Sequence, residues 1–369
     1  MKPLIAIAIS GGIDSLMTAY LLKEQGHSII GIHFITGYEA QPSVHKKKTG
    51  FANTDTQLYA DIKARAAHKI APIASQLGID IRLLDCSIEF KQTVIDYFTR
   101  TYQNGQTPNP CMVCNRSIKF GTILSFAREL GASYLATGHY ARIRPDRNGR
   151  FQLWKGVDSK KDQSYFLALL TRQQLARARF PLGEMKKSDV IKLADQKGLA
   201  PVTEGESQDI CFIKGQTYGD FLAAQPEFEP QPGLIEDTGG NILGRHQGLH
   251  LFTIGQRRGI NCPASAPYYV VGMDRKQNRL KVGFKKDLLS FKCNIVNINW
   301  IHQKPALPMK VHTRVRYRHK AAASTLIPTG AHTAVVRFDT PQSAIAPGQC
   351  AVFFKDDEVL GGGWIEPDA

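Results

Sequence analysis

Two short stretches of the sequence combine residue types that could do chemistry. The first, SGGIDS at residues 10–15, follows an apolar run and precedes an amphipathic helical pattern. Two glycines let backbone N–H groups approach a ligand closely, and the following helix presents its positive end there, which is how proteins hold phosphate. An ordinary strand-to-helix turn would also use glycines in this way, so the hexapeptide alone leaves both interpretations open.

The second stretch, TPNPCMVCNRSIKF at residues 107–120, contains Cys111 and Cys114 in a C-x-x-C pair. A thiol near a helix N-terminus, with Arg116 and Lys119 close by, is expected to have a lowered pKa. Three interpretations compete: a redox or nucleophilic pair, half of a metal site, or two small core residues. A second C-x-x-C is absent from the sequence, which weakens the case for structural zinc.

Three further polar or cysteine-containing segments are less specific. In GESQDICFIKG, Cys211 stands among apolar residues beside an acidic stretch, where a cysteine is more often a buried strand residue. ATGHYAR contains His139, and KDQSYFL begins with Lys161, Asp162 and Gln163. Ordinarily, His139 would be a structural histidine whose ring nitrogens are hydrogen-bonded within the protein, and Lys161, Asp162 and Gln163 would form a solvated turn.

The charge balance favours a polyanionic partner. Lys and Arg number 47 against 32 Asp and Glu, a net charge of +15 over 369 residues, while the 43% hydrophobic fraction is ordinary. Such an excess favours binding to a phosphate backbone, because counterions are released on binding. A basic surface that only aids solubility would have the same composition. Seven cysteines indicate a reducing compartment, and neither an 18-residue apolar run nor a signal-peptide pattern occurs. We therefore predict a cytoplasmic protein without a membrane partner.

Strand and helix patterns alternate over the first 200 residues. We predict strands at 4–9, 28–34, 79–85 and 134–139, and helices at 59–77 and 117–130. Pro72 should kink the helix over 59–77 or split it in two. This βαβα order predicts an α/β fold with a doubly wound parallel sheet and ligands at the carboxyl ends of its strands, where Ser10 and Gly138 lie.

The composition changes after about residue 205. Gly and Pro are frequent there, and from Tyr268 onward short alternating runs without helical patterns predict a β-barrel. We predict three domains: 1–204, a small central α+β domain at 205–267, and a C-terminal β-barrel at 268–369. In the barrel, RVRYRHK at 314–320 would place alternate basic residues on one strand face, which suits either phosphate contacts or solvent.

In series, these motifs resemble those of a known family. SGGIDS after an N-terminal strand is similar to the PP-loop of the N-type ATP pyrophosphatases, which split ATP to AMP and pyrophosphate. Eight segments resemble the tRNA 2-thiouridylases (the MnmA/TrmU family), in the same order over nearly the whole chain: TPNPCMVCNRSIKFG, ATGHYAR, KDQSYFL, FPLGEMKKSDV, SQDICFI, GLHLFTIGQRRG, YYVVGMD and PGQCAVFF. The segment 36–57 does not match the family's usual pattern.

The resemblance implies an ATP-dependent tRNA sulfurtransferase with an adenine nucleotide alpha hydrolase-like first domain. ATP phosphates would be bound by Ser10, Gly11, Gly12, Asp14 and Ser15. Mg²⁺ would be bound by Asp14, and adenosine would contact Phe34 and Gly138. The implied tRNA contacts are Asn109, Pro110, Cys111, His139, Lys161, Asp162, Gln163, Tyr317, Arg318 and Gln349.

The family's chemistry further implies roles for three cysteines. ATP adenylates O2 of the wobble uridine, U34, and a persulfide on Cys211 attacks C2, its sulfur supplied by a sulfur carrier or cysteine desulfurase. Cys114 then attacks the persulfide, closing a Cys114–Cys211 disulfide. Some members carry Asp at the position of Cys111, an acid/base or base-positioning group that a thiol replaces poorly. In the alternative, Cys111, Cys114 and Cys211 hold a [4Fe–4S] cluster.

Two other classes of function remain open at the level of sequence. Another PP-loop adenylating enzyme, with ammonia or an amino acid as nucleophile, would have no use for Cys114 and Cys211. A non-enzymatic RNA-binding protein would leave the PP-loop unexplained.

Overall fold

The computed structural model describes residues 2–39, 56–203, 210–226 and 228–367. Most of the unmatched segment 36–57 and the acidic stretch before Cys211 therefore lie outside the described residues. The chain divides into two compact units. The first comprises Met1–Val94, Cys111–Gly215 and Asp357–Val359, and the second comprises Ile95–Pro110, Gln216–Asp356 and Leu360–Ala369. Within the described ranges, no helix has the length and hydropathy needed to cross a bilayer.

The elements follow in chain order. The α-helices are α1 (Ile13–Glu24), α2 (Thr56–Leu77), α3 (Ser87–Phe90), α4 (Asp96–Gln103), α5 (Pro110–Cys114), α6 (Leu124–Glu129), α7 (Arg172–Arg177), α8 (Lys187–Gln196) and α9 (Tyr218–Ala223). The strands of the first unit are β1 (Ile5–Ala8), β2 (Ile29–Ile35), β3 (Ile81–Asp85), β4 (Tyr134–Ala136), β5 (Ala141–Pro145), β6 (Phe151–Lys155) and β7 (Ala178–Arg179). Turns of π-helix cover Lys91–Ile95 and Asn115–Ile123, and 3₁₀ turns cover Ser164–Leu167, Pro181–Glu184, Leu249–Leu251 and Lys285–Leu288.

The first unit is built on a parallel sheet of order β3-β2-β1-β4-β7. All four residues of β1 are buried, which explains why this strand is apolar at every position. The strand order reverses between β1 and β4, so the turns after these two strands meet at the carboxyl edge of the sheet. The predicted doubly wound parallel sheet is confirmed, and its switch point lies where ligands bind in such folds.

Helix α2 tests the effect predicted for Pro72. The helix continues through the proline, so the alternative in which Pro72 splits it is wrong. Pro72 lies on the exposed face, while Ile70, Ile73 and Leu77 are buried against the sheet. Apolar packing on both sides of the proline therefore stabilises the helix against the loss of one backbone hydrogen bond.

The second unit contains two β structures. Its strands are β8 (Gly233–Asp237), β9 (Ile242–His246), β10 (Tyr269–Asp274), β11 (Arg279–Gly283), β12 (Leu289–Trp300), β13 (Met309–Arg314), β14 (Ala322–Pro328), β15 (Ala334–Ser343), β16 (Cys350–Lys355) and β17, whose residues Glu358–Ile365 begin in the first unit. The order β12-β15-β14-β13-β16-β17, closed by pairing of β12 with β17, forms the predicted C-terminal barrel. Strands β10 and β11 follow Tyr268 but lie in a separate four-stranded sheet of order β10-β11-β8-β9. Val270, Leu280 and Val282 share a core there with Ile235.

The basic segment at 314–320 is not a continuous strand. β13 ends at Arg314, and residues 315–320 turn the chain back so that Thr313 pairs with Ala322. The His319 N–H donates to the Arg316 carbonyl at 3.0 Å inside this turn. The predicted strand face shared by Arg314, Arg316 and Arg318 is therefore wrong, although Arg316, Arg318 and Lys320 are exposed.

Gly183 offers a test of the packing between the 3₁₀ turn at Pro181–Glu184 and β5. A Cβ on Gly183 would lie 1.8 Å from the carbonyl oxygen of Ala141, a backbone atom. Gly183→Ala should lower the free energy of unfolding by about 3 kcal/mol, because this overlap cannot be relieved by rotating a side chain. Chemical denaturation followed by circular dichroism measures the loss.

Gly272→Ala serves as the matched control, since its Cβ would meet Lys281 Cβ at an ordinary 3.5 Å. Equal denaturation midpoints for the two variants would contradict the predicted backbone overlap.

Candidate active site

The turn after β1 is shaped by its glycines and serines. The Ser10 N–H donates to Ser15 Oγ at 3.2 Å, and the Ser15 hydroxyl donates to the Gly12 carbonyl at 2.9 Å. Gly11 has φ +97°, and a Cβ there would lie 2.8 Å from Thr203 Oγ1. Gly12 is the N-cap of α1 and provides no side-chain cap. The turn thus presents hydroxyls and the positive end of α1, and the missing side chain of Gly11 lets Thr203 pack closely against it.

Asp14, in the first turn of α1, is held by two other elements of the first unit. Its Oδ1 accepts from Lys187 Nζ and from the Tyr140 hydroxyl, each at 2.7 Å. The Lys187 side chain is only 9% exposed, whereas that of Asp14 is 35% exposed. No hydrogen bond joins Asp14 Oδ2 to a described residue, so this oxygen is available to a ligand.

Lys187 is a functional candidate that the sequence analysis did not single out. It lies in FPLGEMKKSDV, where a lysine pair at the start of a helix would ordinarily be a solvated charge. The structure distinguishes the two lysines, since Lys186 is exposed and Lys187 is buried. A buried ammonium at a glycine-rich turn is suited to a polyphosphate.

The turn after β4 packs directly on the turn after β1. A Cβ on Gly138 would lie 2.8 Å from the carbonyl carbon and from the Cβ of Asp14, so only glycine permits this approach. Phe34 lies near the end of β2 and is partly buried. The structure thus gives Gly138 a packing role, and the adenosine contacts of Phe34 and Gly138 stay predictions.

His139, Asp162 and Gln163 occupy connected turns. His139 Nδ1 lies 2.6 Å from Thr137 Oγ1, and burial lowers the pKa of this histidine well below its ordinary value. Asp162 Oδ1 accepts from the Gly156 and Ser164 N–H groups, both at 3.1 Å. Gln163 Oε1 accepts from the backbone N–H of Tyr140 at 3.1 Å, and the side-chain hydroxyl of the same tyrosine donates to Asp14. Asp162 and Gln163 thus hold the local backbone, and Lys161 is half-buried. Their predicted RNA contacts remain untested.

The first unit also contains Cys111, Cys114 and Cys211. Cys111 and Cys114 lie on α5, and Cys211 belongs to a segment about a hundred residues later. Cys111 and Cys211 are exposed and Cys114 is half-buried. The charge of Cys211 acts on both other thiols, which places the three in one electrostatic neighbourhood.

The prediction of lowered thiol pKa values is wrong. Desolvation raises the pKa of Cys114 to about 12 and also raises the pKa of Cys111 and of Cys211. Lys119 acts in the opposite direction on all three, but its effect is smaller. Cys111 and Cys211 keep exposed surface, but the protein packed around their sulfur atoms still withdraws water from the thiolate. This loss of water outweighs the nearby cation and the short helix.

The placement of metal-ligating side chains bears on the alternative of an iron–sulfur cluster. Over the described ranges, no group of three or more His, Cys, Asp or Glu side chains is placed to hold a metal ion. Cys111, Cys114 and Cys211 are thus not arranged as cluster ligands, and the structure gives the [4Fe–4S] alternative no support.

Further predicted tRNA contacts lie in the second unit. The Asn109 N–H donates to the Tyr97 hydroxyl at 3.1 Å, and Asn109 and Pro110 are both buried. Gln349 Nε2 donates to the carbonyls of residues 107 and 108 at 3.2 and 2.8 Å, so it positions the segment before Asn109. Tyr317 and Arg318 lie in the turn after β13, where Arg318 is exposed.

Models of three protein families match successive parts of the chain. The tRNA methyl transferase HUP domain matches residues 3–215, and the tRNA methyl transferase PRC-barrel domain matches residues 219–284. The aminomethyltransferase β-barrel domain matches residues 290–365.

Full-length relatives carry a single name. The tRNA-specific 2-thiouridylase MnmA of Desulfosudis oleivorans is 47% identical over 367 residues, covering 100% of this chain and 96% of the relative. Those of Geobacter metallireducens and Syntrophotalea carbinolica are 41% and 42% identical, and each match covers 98% of this chain and 96% and 98% of the relative, respectively. With this identity along its whole length, the chain belongs to the tRNA-specific 2-thiouridylase family.

Proposed function

We propose that the protein is an ATP-dependent tRNA sulfurtransferase that replaces O2 of the wobble uridine with sulfur. The observation that carries the proposal is the occurrence of a phosphate-type turn and the thiols of Cys114 and Cys211 in one compact unit. The matching family description refers to methyl transfer, whereas the full-length relatives are 2-thiouridylases. Two thiols far apart in sequence fit sulfur transfer, in which one carries the persulfide and the other closes a disulfide with it.

The turn after β1 fits the phosphates of ATP. The hydroxyls of Ser10 and Ser15 and the N-terminus of α1 provide donors for a polyanion. The exposed part of Asp14 fits one carboxylate ligand of Mg²⁺, which usually completes its shell with water and substrate phosphates. When bound, Mg²⁺ would neutralise charge on the departing pyrophosphate.

Lys187 would supply a second cation, besides Mg²⁺, at the turn after β1. Without nucleotide its ammonium is paired with Asp14 Oδ1 at 2.7 Å. Because Lys187 is buried, moving toward the phosphates exchanges one anionic partner for another without exposing the cation to solvent. Lys187 thereby stabilises the negative charge that grows on pyrophosphate as the α-phosphorus is attacked.

The proposed reaction has two stages. In the first, uridine O2 attacks the α-phosphorus of ATP, the bond to the β-phosphate oxygen breaks, and pyrophosphate leaves. In the second, the outer sulfur of a Cys211 persulfide attacks C2, and AMP leaves with the former O2. Cys114 then attacks Cys211 Sγ, so that the sulfur–sulfur bond breaks, sulfur stays on the base and a Cys114–Cys211 disulfide forms. An external reductant restores the two thiols.

The charge of the chain supports an RNA substrate. A net charge of +15 favours binding to a phosphate backbone. Exposed basic side chains lie close together in sequence on the turn after β13, namely Arg316, Arg318 and Lys320. We further propose that a sulfur carrier or cysteine desulfurase loads Cys211, and that the enzyme acts in the reducing cytoplasm. Its thiols would remain available there between turnovers.

Removing either partner of the Asp14–Lys187 ion pair should impair adenylation. Asp14→Asn and Lys187→Met should each slow tRNA-dependent release of AMP by roughly 100-fold, because charge on the leaving pyrophosphate loses a preorganised partner. AMP formation is measured by chromatography, and tRNA affinity is measured in parallel by filter binding.

The control is Lys186→Met, which removes an exposed neighbouring lysine and should leave AMP release unchanged. Full activity of Lys187→Met would show that the buried ammonium has no part in ATP chemistry.

Sulfur transfer should separate from adenylation in cysteine variants. Cys114→Ser and Cys211→Ser should abolish 2-thiouridine while AMP release continues, because a hydroxyl carries no sulfane sulfur and forms no disulfide. Mass analysis of nucleosides from tRNA incubated with ATP and a persulfide donor gives the readout.

Cys262→Ser is a suitable control, since Cys262 belongs to the second unit and its thiol contacts the Leu243 and Ile260 carbonyls. If both Cys114→Ser and Cys211→Ser thiolated tRNA at the wild-type rate, another adenylating reaction would replace the proposed one.

The turn after β13 should contribute to tRNA affinity through phosphate. Arg318→Ala should weaken tRNA binding and reduce the slope of log affinity against log salt by about 1, because one phosphate contact is lost. Titrations at several salt concentrations measure the slope. Arg82→Ala, which removes an exposed arginine paired with Asp80, should leave it unchanged; equal slopes for wild type and Arg318→Ala would exclude the contact.

A further inference from the structure

Cys111 is an exposed thiol without a task in the reaction proposed above. We propose that Cys111 is a resolving thiol, which takes the disulfide over from Cys211 after each turnover and releases Cys211 for the next persulfide. This inference rests on the proposed function, because it starts from the Cys114–Cys211 disulfide.

The first support is the placement of Cys111 and Cys114 on one turn. Both lie in α5, three residues apart. Side chains at this spacing are neighbours on a helix, with Cβ atoms about 5–6 Å apart, and a disulfide requires Cβ atoms roughly 3.5–4.5 Å apart, so the two must approach by about 1–2 Å. A small adjustment at the first turn of the helix therefore closes a Cys111–Cys114 disulfide.

The second support is the position of the thiols relative to solvent and to each other. The charge of Cys211 acts on Cys111, and the charges of Cys211, Cys111 and Cys86 all act on Cys114. Cys86 is fully buried and inaccessible to a reductant in solution, whereas Cys111 is exposed. Besides Cys211, which is exposed but already belongs to the disulfide, Cys111 is thus the neighbour of Cys114 that an external dithiol can reach.

The exchange balances without a change in oxidation level. The Cys111 thiolate attacks Cys114 Sγ, the Cys114–Cys211 bond breaks, and Cys211 leaves as a thiolate. The disulfide now closes a loop of four residues on one helical turn and no longer links two distant segments of the chain. A dithiol reductant then attacks the Cys111 sulfur and leaves as its own disulfide, restoring both thiols of α5.

Disulfide mapping of the full chain tests the exchange. Wild type, Cys111→Ser and the control Cys262→Ser are oxidised with diamide, left anaerobically to equilibrate, quenched with iodoacetamide and digested without reduction. In wild type and Cys262→Ser, mass spectrometry should find Cys111 linked to Cys114 and Cys211 alkylated. In Cys111→Ser, mass spectrometry should find Cys114 linked to Cys211, and Cys211 should no longer be alkylated.

The possible outcomes separate this inference from the proposed function. A wild-type protein that keeps Cys114–Cys211 with Cys111 alkylated, or that forms Cys111–Cys211, would overturn the resolving role. In either case, Cys114–Cys211 in the Cys111→Ser variant would still support the proposed sulfur transfer. Absence of any disulfide in both proteins would overturn the resolving role and remove the disulfide step of the proposed reaction.

Discussion

The contact of Asp14 with Lys187 and Tyr140 is the interaction on which the arrangement of the first unit's site depends. It joins the start of α1, the residue before β5 and the start of α8 through a single carboxylate oxygen. A buried ammonium without an anion is costly, so this pairing holds Lys187 at the turn that would receive phosphate. The turn after β4 also fixes the position of Asp14, because Gly138 packs closely against it. The proposed polyphosphate site is thereby organised by contacts within the protein itself.

The pKa values of the three thiols are governed by desolvation and not by pairing with a counterion. In the protein alone, burial outweighs Lys119, and the pKa values of Cys111, Cys114 and Cys211 all lie above the ordinary range. Few thiolates are then present at neutral pH, which limits unwanted oxidation and alkylation. Lys119 is a cation that opposes this effect at each of the three thiols, and it favours their thiolate forms.

Several side chains that resemblance assigns to RNA have structural partners in the protein. Asp162 and Gln163 hold backbone N–H groups, and Gln349 holds two carbonyls before Asn109. A residue that positions a turn affects binding through that turn, without any need to touch RNA itself. For Arg318 the situation differs, because it is exposed on a hairpin connection and is a direct candidate for phosphate.

The sequence by itself determined the parallel sheet, the carboxyl-edge location of Ser10 and Gly138, and the barrel, because these follow from local apolar periodicity and glycine placement. The motifs in series also determined the family. Only the tertiary structure decided that Lys187 differs from Lys186, that the thiol pKa values rise, and that the basic run at 314–320 turns after Arg314. Each of these depends on burial or on pairing between distant residues. Such contacts arise only when the chain is folded, and they leave no local pattern in the sequence.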